Sequence, residues 1–458
     1  MVSQNWSDIA LLYRRAGFGL RPDELDRLAS GSYESAVDGL VAGLGNAPDP
    51  GAGNISTPDL TLPSRPARGD LAALKAYARE DLLELTGLQA WWIDKMIATS
   101  TPLREKLTLF WHGHFATAFS KVRDAKLMYL QNELFRQAGG GSFETLTQAV
   151  ATDGAMMVWL DTITDKKGHP NENFAREMME LFTLGLGNYT QDDVVAAARG
   201  FTGWYYNRKT YEYVFQHAQH DFGSKTYLGQ TGDWNGTDIV RIAVTRPASA
   251  RFVLAKLWSH FAYPVAPTDP VVGDLLGAYG AGMDVAAALK AIFMHPDFVS
   301  ATTRTGLVKQ PVEYLVSAAR ALGLDSKMSR TAPAGSSLPG TSGTAIEKQP
   351  KRPTLATLAI RLGQTLFDPP NVGGWGQNVY WLDTVTARLR FEAALFLARS
   401  GDITAVSSVP ASQRVAAAAT MLGMDGWGRT TASALAQVSR SPVALVALAL
   451  TSPEYVLA

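Results

Sequence analysis

Cysteine is absent from this chain of 458 residues. Its absence excludes disulfide bonds, metal sites built on thiolates and catalysis by a cysteine nucleophile. A chain without cysteine folds equally well in oxidising and reducing compartments, so this composition does not indicate where the protein works.

Net charge and long apolar runs are missing as well. The chain has 42 basic and 42 acidic residues, whereas proteins that bind nucleic acids usually carry a basic excess. It has no run of about 18 apolar residues, which a membrane span would need. The N-terminal stretch "MVSQNWSDIALLYRRAGFGL" lacks the basic-then-apolar pattern of a signal peptide. We therefore expect a cytoplasmic protein with no nucleic-acid partner and no membrane span.

Several familiar catalytic motifs are also missing. The sequence contains no Gly-X-Ser-X-Gly elbow, no phosphate-binding Gly-Lys-Ser/Thr loop and neither His-Glu-X-X-His nor Glu-X-X-His. These motifs mark serine hydrolases, nucleotide hydrolases and common metal sites. The stretch "AGFGLRPDEL" contains Gly-X-Gly, but it lacks the third glycine and the preceding strand of a dinucleotide site.

Most of the chain has the hydrophobic periodicity of α-helices. The pattern predicts helices at 70–99, 102–119, 123–138, 236–262, 270–294 and 309–323, and more after 352. Residues 205–230 instead alternate aromatic and polar residues with turn formers, which predicts a β-hairpin insertion. The polar segment 325–351 predicts a flexible loop. The expected fold class is mainly α: a single large helical domain over 1–458 with one small β-hairpin insertion.

The stretch "NENFAREMMELFTLGLGNYTQDD" gathers its polar residues on one face of a helix. At 100° per residue they fall in an arc of roughly 140°. They are Glu172, Asn173, Arg176, Glu177, Glu180 and Thr183. Because the apolar arc is wide for a surface helix, we expect the polar face to line a buried cleft. The alternative is an exposed face with two i,i+4 ion pairs, Glu172–Arg176 and Arg176–Glu180. Thr190 and Asp193 predict a capping box for the next helix.

Glu177, Glu180 and Arg176 are the first candidates for catalysis. Buried carboxylates around an arginine have pKa values that are pushed apart, which acid–base catalysis uses. His220 and Asp221, adjacent on the predicted insertion, are further candidates, as a general base with its orienting carboxylate.

His112 and His114 lie in "LFWHGHF", whose pattern is helical. On a helix their side chains point about 200° apart and cannot bind one ion. They are therefore candidates for substrate binding, with a core position as the alternative. The loop "FDPPNVGGWGQNVYW" at 367–381 combines Asn371 and Trp375 with glycines. This combination is typical of a surface that holds a sugar, although a tryptophan that only packs is the alternative.

Six segments spread over nearly the whole chain carry a family resemblance. They are "LLYRRAGFGLRPDELDRL", "LREKLTLFWHGHFATA", "NENFAREMMELFTLGLGNYTQDDVVAAARGFTGW", "HDFGSKTYLG", "KQPVEYLVSAARALG" and "FDPPNVGGWGQNVYW". In this order they resemble the large bacterial family of unknown function numbered 1800. The resemblance implies a mostly helical domain with a small β insertion and brings no established activity. Many relatives look exported and are encoded beside sulfatase-like proteins, which implies work on envelope or polysaccharide material. The candidate residues fall inside these segments, so the resemblance also implies that they share one cleft.

The leading hypothesis is an enzyme with a carboxylate, arginine and histidine cleft. It would be a hydrolase that acts on a carbohydrate or another polyhydroxylated substrate by acid–base catalysis. Glu177 and Glu180, or one of them with Asp221, would act as acid and base or nucleophile, and Arg176 would orient the substrate. The expected substrate-binding residues are Glu172, Asn173, His112, His114, Trp204, Asn371 and Trp375.

Two alternatives stay open. The first is a metal-dependent hydrolase or oxidoreductase with glutamate and histidine ligands for a divalent metal, whereas the leading hypothesis requires no cofactor. The second is a non-enzymatic binding or assembly protein in which the polar face is a buried network. The expected partner is a small molecule or a glycan.

Overall fold

The computed structural model describes residues 3–62, 66, 69–328 and 353–457. These residues are mainly α-helical and include two small two-stranded sheets, which confirms the predicted fold class. The predicted flexible loop at 325–351 lies outside the described residues from 329 onward. Among the described helices, none combines the length and the apolar character needed to cross a bilayer.

The first half of the chain forms short and medium helices around one long helix. They are α1 (Gln4–Arg15), α2 (Pro22–Ala29), α3 (Tyr33–Ala42), α4 (Leu71–Ala98), α5 (Pro102–His114), α6 (Phe119–Val122), α7 (Ala125–Ala138), α8 (Phe143–Ala151), α9 (Gly154–Trp159), α10 (Glu172–Glu177) and α11 (Gln191–Phe201). A π-helical segment, Met178–Thr183, continues α10, and a 3₁₀ turn spans Thr162–Thr164.

The β insertion separates these helices from the second half of the chain. Strand β1 (Trp204–Asn207) pairs antiparallel with β2 (Glu212–Phe215). Strand β3 (Lys225–Tyr227) pairs with β4 (Gln230–Gly232), and a 3₁₀ turn, His217–Gln219, lies between the two hairpins. The predicted insertion at 205–230 is therefore confirmed, as two hairpins.

The second half is again helical. Its helices are α12 (Gly236–Val244), α13 (Pro247–Phe261), α14 (Pro270–Tyr279), α15 (Val285–Met294), α16 (Ala301–Thr305), α17 (Pro311–Ala321), α18 (Leu355–Arg361), α19 (Thr384–Ser400), α20 (Thr404–Ser407), α21 (Arg414–Met421), α22 (Arg429–Gln437), α23 (Pro442–Leu450) and α24 (Pro453–Val456). Two 3₁₀ turns, Pro296–Val299 and Asn378–Trp381, lie between them.

Proline and glycine divide two of the predicted helices. Pro247 occupies the first turn of α13 and separates it from α12, because proline lacks the N–H that a continuous helix needs there. Gly280 has a φ of +57° after α14, in the left-handed region that glycine adopts without strain, and this ends the helix. The predicted ranges 236–262 and 270–294 are thus two helices each.

One continuous set of buried apolar side chains extends from Trp6 to Val456. Helix α5 lies deep within it, since all but one of its residues are buried. Helices α13 and α17 also bury most of their residues. Charged side chains on α1, α5 and α17 are therefore enclosed by the core, and this arrangement positions the cavity described below.

Candidate functional site

The polar face of α10 lies at the surface, so the expectation of a buried cleft along it is wrong. The side chains of Glu172 and Arg176 are 42% and 39% exposed, and their ion pair measures 3.2 Å. Both also hydrogen-bond to Gln191 on α11. Phe174 and Met178 are buried on the other side. The apolar arc is largely buried, and the glutamates, Asn173 and Arg176 form its solvent-facing edge, whereas Thr183 is buried.

The π-helical segment changes where Glu180 points. Its backbone is wider than an α-helix, and the Thr183 hydroxyl donates to the carbonyl of Met178, five residues back, at 2.7 Å. In the described ranges no ion pair joins Arg176 to Glu180, and the hydroxyl of Tyr189 donates to Glu180 instead. Burial and the nearby Glu180 carboxylate raise the pKa of Glu177. The two glutamates therefore stand on a half-exposed outer face.

His220 and Asp221 do not form a dyad. The His220 ring is buried, and its Nδ1–H donates to the carbonyl of Thr202 at 2.7 Å. Asp221 pairs with Arg199, with 2.7 Å between Oδ2 and Nε. The hydrogen bond from Arg199 is the main cause that lowers the pKa of Asp221 to about 2. These contacts fasten the β insertion to the end of α11.

Three expected substrate-binding residues do not line the cavity beside His114 that is described below. Trp204 is buried, with its ring centroid 5.1 Å from that of Phe201. Asn173 is exposed on α10. The Asn371 side chain accepts the backbone N–H of Gly373 at 2.8 Å and so shapes its own loop. The structure does not bring these three together.

His112, His114 and Trp375 do come together. The His112 ring lies 5.3 Å from that of Trp375, and its Nε2 accepts the backbone N–H of Phe367 at 3.0 Å. The chain of loop 367–381 passes directly over α5. A Cβ at Gly374, where φ is +79°, would meet the carbonyl oxygen of Gly113 at 2.2 Å.

The imidazole of His114 has a defined tautomer. Its Nε2–H donates to the carbonyl of Phe182 at 2.9 Å, so Nδ1 carries the lone pair in the neutral ring. This Nδ1 is buried and has no hydrogen-bond partner among the described residues. Burial, assisted by the charge of Lys256, lowers the pKa of His114 well below its ordinary value. His114 is therefore a neutral imidazole with an unused acceptor.

His114 and Trp375 line a cavity of about 70 Å³, which we call the outer lobe. Its lining residues are Leu109, Phe110, Gly113, His114, Lys256, His260, Gln310, Gly373, Trp375 and Gln377. The Lys256 ammonium donates to the carbonyl of Leu181 at 2.9 Å, and burial lowers its pKa to about 8. A residue that carries a neutral base and a residue that carries an ammonium thus line the same small space.

A second cavity of about 30 Å³, the inner lobe, shares His260, Gln310 and Gln377 with the outer one. Its charged lining residues are Arg14, Arg15, Lys106, Lys309 and Glu313. No more than 8% of any of these five is exposed. Four cations therefore face one carboxylate inside the core.

The carboxylate belongs to the first turn of α17. Pro311 opens this helix, and Glu313 accepts the backbone N–H of Gln310 at 3.0 Å in a capping box. The other oxygen of Glu313 lies 2.5 Å from Nζ of Lys106. Burial acts to raise the pKa of Glu313, but its contacts, above all the charge of Lys106, outweigh burial and lower it.

The remaining cations are held by backbone carbonyls. Arg14 donates to Gly423 and Arg15 to Thr303. Lys309 donates to Tyr455 at 2.7 Å. Nε of both arginines is buried without a hydrogen-bond partner in the described ranges. Each guanidinium therefore keeps donor capacity that the described residues leave unused.

Burial and mutual repulsion act on these cations. Burial lowers the pKa of Arg14 to about 10 and that of Arg15 to about 9, with Arg14 adding to the effect on Arg15. Burial, together with both arginines, lowers the pKa of Lys309 well below its ordinary value. Asp425 opposes the effect on Arg14, and Arg304 adds to it. Burial and neighbouring cations therefore disfavour the charged forms of Arg14, Arg15 and Lys309.

Sequence reasoning missed most residues of both lobes. Arg14 and Arg15 lie on α1, Lys106 on α5, Lys256 and His260 on α13 and Glu313 on α17, and Lys309 precedes α17. These positions are far apart along the chain. One signal was present: charged residues interrupt helices that are otherwise apolar, as in "LLYRRAGF" and "LREKLTLFW". Charges in such positions are either paired in the core or gathered around a ligand.

The metal-dependent alternative lacks a ligand set. In the part of the chain that the structure describes, no group of three or more histidine, aspartate or glutamate side chains could hold a metal ion. The described residues therefore do not fit a divalent metal centre of the expected kind.

Comparison with known proteins places the chain in a family. Residues 11–457 match the family described as "Protein of unknown function (DUF1800)". No curated protein and no solved structure matches the chain. Because the match covers nearly all of the sequence, the chain belongs to this family of unknown function, DUF1800.

Proposed function

We propose that this protein is a hydrolase that acts on a small polyhydroxylated substrate, such as a carbohydrate, at the outer lobe. The observation that supports the proposal is the pairing of two titratable groups around one cavity. His114 presents an unprotonated Nδ1, and Lys256 presents an ammonium whose pKa burial lowers to about 8. A neutral base and a cationic acid that line one cavity are the groups that general acid–base catalysis uses.

The roles follow from these protonation states. Nδ1 of His114 accepts a proton from water, and the water oxygen forms a bond to the electrophilic carbon of the substrate. The bond from that carbon to the leaving oxygen breaks, and the Lys256 ammonium gives this oxygen its proton. One water is consumed and two hydroxyl-bearing products leave. The low pKa of His114 limits this step, and a negative charge near His114 raises that pKa.

The lining supports a polyhydroxylated substrate. Half-buried Trp375 offers an aromatic face beside the histidines, and the amides of Gln310 and Gln377 offer both donors and acceptors. About 70 Å³ holds roughly five waters, at the ~10–15 Å³ that each needs. A substrate larger than that extends toward the loop around Trp375.

Glu177 and Glu180 remain a second candidate for the acid–base pair. The raised pKa of Glu177, caused by burial and by Glu180, supports this role. Their half-exposed side chains would meet a substrate at the surface of α10, distinct from the lobes. Variants of His114 and of Glu177 separate the two proposals, since the first affects only the outer lobe and the second only the surface of α10.

The test measures hydrolysis by the purified full chain. A panel of neutral and acidic oligosaccharides is incubated with the protein, and new reducing ends are quantified. We expect His114→Gln to lower turnover by at least a hundredfold, as loss of a general base does. His169→Gln, the same change at an exposed histidine, serves as the matched control and should leave turnover unchanged.

Two results would overturn the assignment. Full activity of His114→Gln together with loss of activity in Glu177→Gln would move the reaction to α10. No turnover of any panel member by the wild-type chain would favour the binding-protein alternative.

A further inference from the structure

The inner lobe has no role in the proposed acid–base pair, yet its buried lining has a clear excess of basic side chains. Four buried cations line it, and the single carboxylate is engaged by Lys106. Burying an unpaired ion is strongly unfavourable. A protein that keeps such a cluster gains from an anion that enters and compensates it.

We infer that the inner lobe is a subsite for an oxyanion carried by the substrate, a carboxylate or a phosphate or sulfate ester. The inference deepens the proposed function, since it names the chemical class of substrate for the same site and rests on the reaction proposed at the outer lobe.

The donors suit an oxyanion. Arginine presents a planar fork that matches the oxygens of a carboxylate or phosphate, and lysine adds a point charge. The Nε atoms of Arg14 and Arg15 are buried without partners in the described ranges, and so is Nε2 of His260. Neutral His260, whose pKa burial lowers to about 4, can donate a hydrogen bond without adding charge.

The size of the lobe restricts what enters it. About 30 Å³ is room for roughly two water-sized atoms. A whole sugar ring does not fit, whereas two oxygens of one anionic end group do, with the rest of that group at the border with the outer lobe. Since His260, Gln310 and Gln377 border both lobes, a substrate would place its anionic group in the inner lobe and its scissile bond in the outer lobe.

This arrangement gives the anion a second effect. Its negative charge offsets the cations that surround the two lobes, which favours the proton uptake by His114 that the hydrolytic step needs. An acidic substrate would therefore be both bound and activated, and a neutral analogue would be neither.

Isothermal titration calorimetry of the wild-type full chain tests the inference. Inorganic phosphate, sulfate and acetate are titrated separately at constant ionic strength, with glycerol as the neutral control. We expect saturable binding of one anion per chain for at least one of the three and none for glycerol. Phosphate or sulfate binding identifies an ester as the natural group, whereas acetate binding alone identifies a carboxylate. Absence of binding by all three overturns the inference.

Variants and crystals locate the binding. Arg15→Gln should weaken anion binding at least tenfold, because a hydrogen bond to a charged group is lost. Arg241→Gln, at an exposed arginine of α12, should leave it unchanged. Selenate soaked into wild-type crystals should give an anomalous peak within the inner lobe, a readout that does not depend on whether Arg15→Gln folds. Equal affinity of both variants, or a peak elsewhere, contradicts the assignment.

Failure of the two proposals can be told apart. Anion binding in the inner lobe without turnover of any substrate would refute the hydrolase and leave the subsite. Turnover of neutral oligosaccharides without anion binding would refute the subsite and leave the hydrolase.

Discussion

Replacing Glu313 by glutamine should destabilise the protein strongly. Glutamine keeps the size of the side chain and an oxygen that can accept the N–H of Gln310, so the cap of α17 persists. What disappears is the charge that pairs with Lys106 at 2.5 Å. Removing one partner of a buried ion pair costs about 3–5 kcal/mol. The cost should reach the upper part of this range, because Arg14 and Arg15 then face no carboxylate in the lobe.

Urea unfolding at pH 7 measures this loss as a change in the free energy of unfolding. The matched control is Glu392→Gln on α19. Glu392 pairs with Arg361 at 2.8 Å and with Arg388 at 2.9 Å. Both arginines are at least half exposed, so the control should leave the free energy of unfolding nearly unchanged.

A double variant separates charge from packing. Adding Lys106→Met to Glu313→Gln removes the unpaired ammonium and should recover part of the lost stability, since a buried pair exchanged for neutral groups is often nearly neutral. A loss below about 1 kcal/mol for Glu313→Gln alone would refute the reasoning. It would mean that water already solvates the cations of the inner lobe.

Three further predictions concern other parts of the chain. Burial raises the pKa of Asp165 to about 7, and a raised acid pKa stabilises the fold at low pH and loses this contribution as pH rises through 7. The melting temperature of Asp165→Asn should therefore rise relative to wild type between pH 5 and 8, and a constant difference would contradict this. Gly374→Ala should lower the melting temperature and weaken anion binding, because the new Cβ would lie 2.2 Å from the carbonyl oxygen of Gly113. The control is Gly69→Ala, because nothing lies within 4 Å of a Cβ added at Gly69. Thr190→Ala should lower the free energy of unfolding by about 1 kcal/mol through loss of the α11 cap, and urea unfolding measures this. The Thr190 hydroxyl accepts the backbone N–H of Asp193 at 3.2 Å. An unchanged unfolding midpoint would show that water satisfies this N–H instead.

Local patterns predicted the elements well. The apolar periodicity that predicts 70–99 and 123–138 corresponds to helices Leu71–Ala98 and Ala125–Ala138. The capping box of Thr190 and Asp193 and the ion pair of Glu172 with Arg176 are also present. These features depend only on residues within one or two turns, so the sequence contains all the information they need.

The location of the cavity could not be predicted in the same way. Whether the polar face of α10 is buried depends on which helices pack beside it, and its own periodicity does not determine that. The inner lobe joins Arg14 on α1 to Lys106 on α5 and Glu313 on α17, and these contacts form only in the folded chain. The π-helical turn that directs Glu180 toward Tyr189 has no recognisable local pattern either.

The hydrogen bond from Lys309 to a backbone carbonyl affects when in its synthesis the protein can bind a ligand. That carbonyl belongs to Tyr455, and the one that holds Arg14 belongs to Gly423. A nascent chain that has not yet reached Tyr455 therefore contains Lys309 but not the carbonyl that orients it. Proteolytic removal of α24 would have the same outcome: the other helices could stay folded while ligand recognition fails. Ligand binding should consequently appear only once α24 has been synthesised.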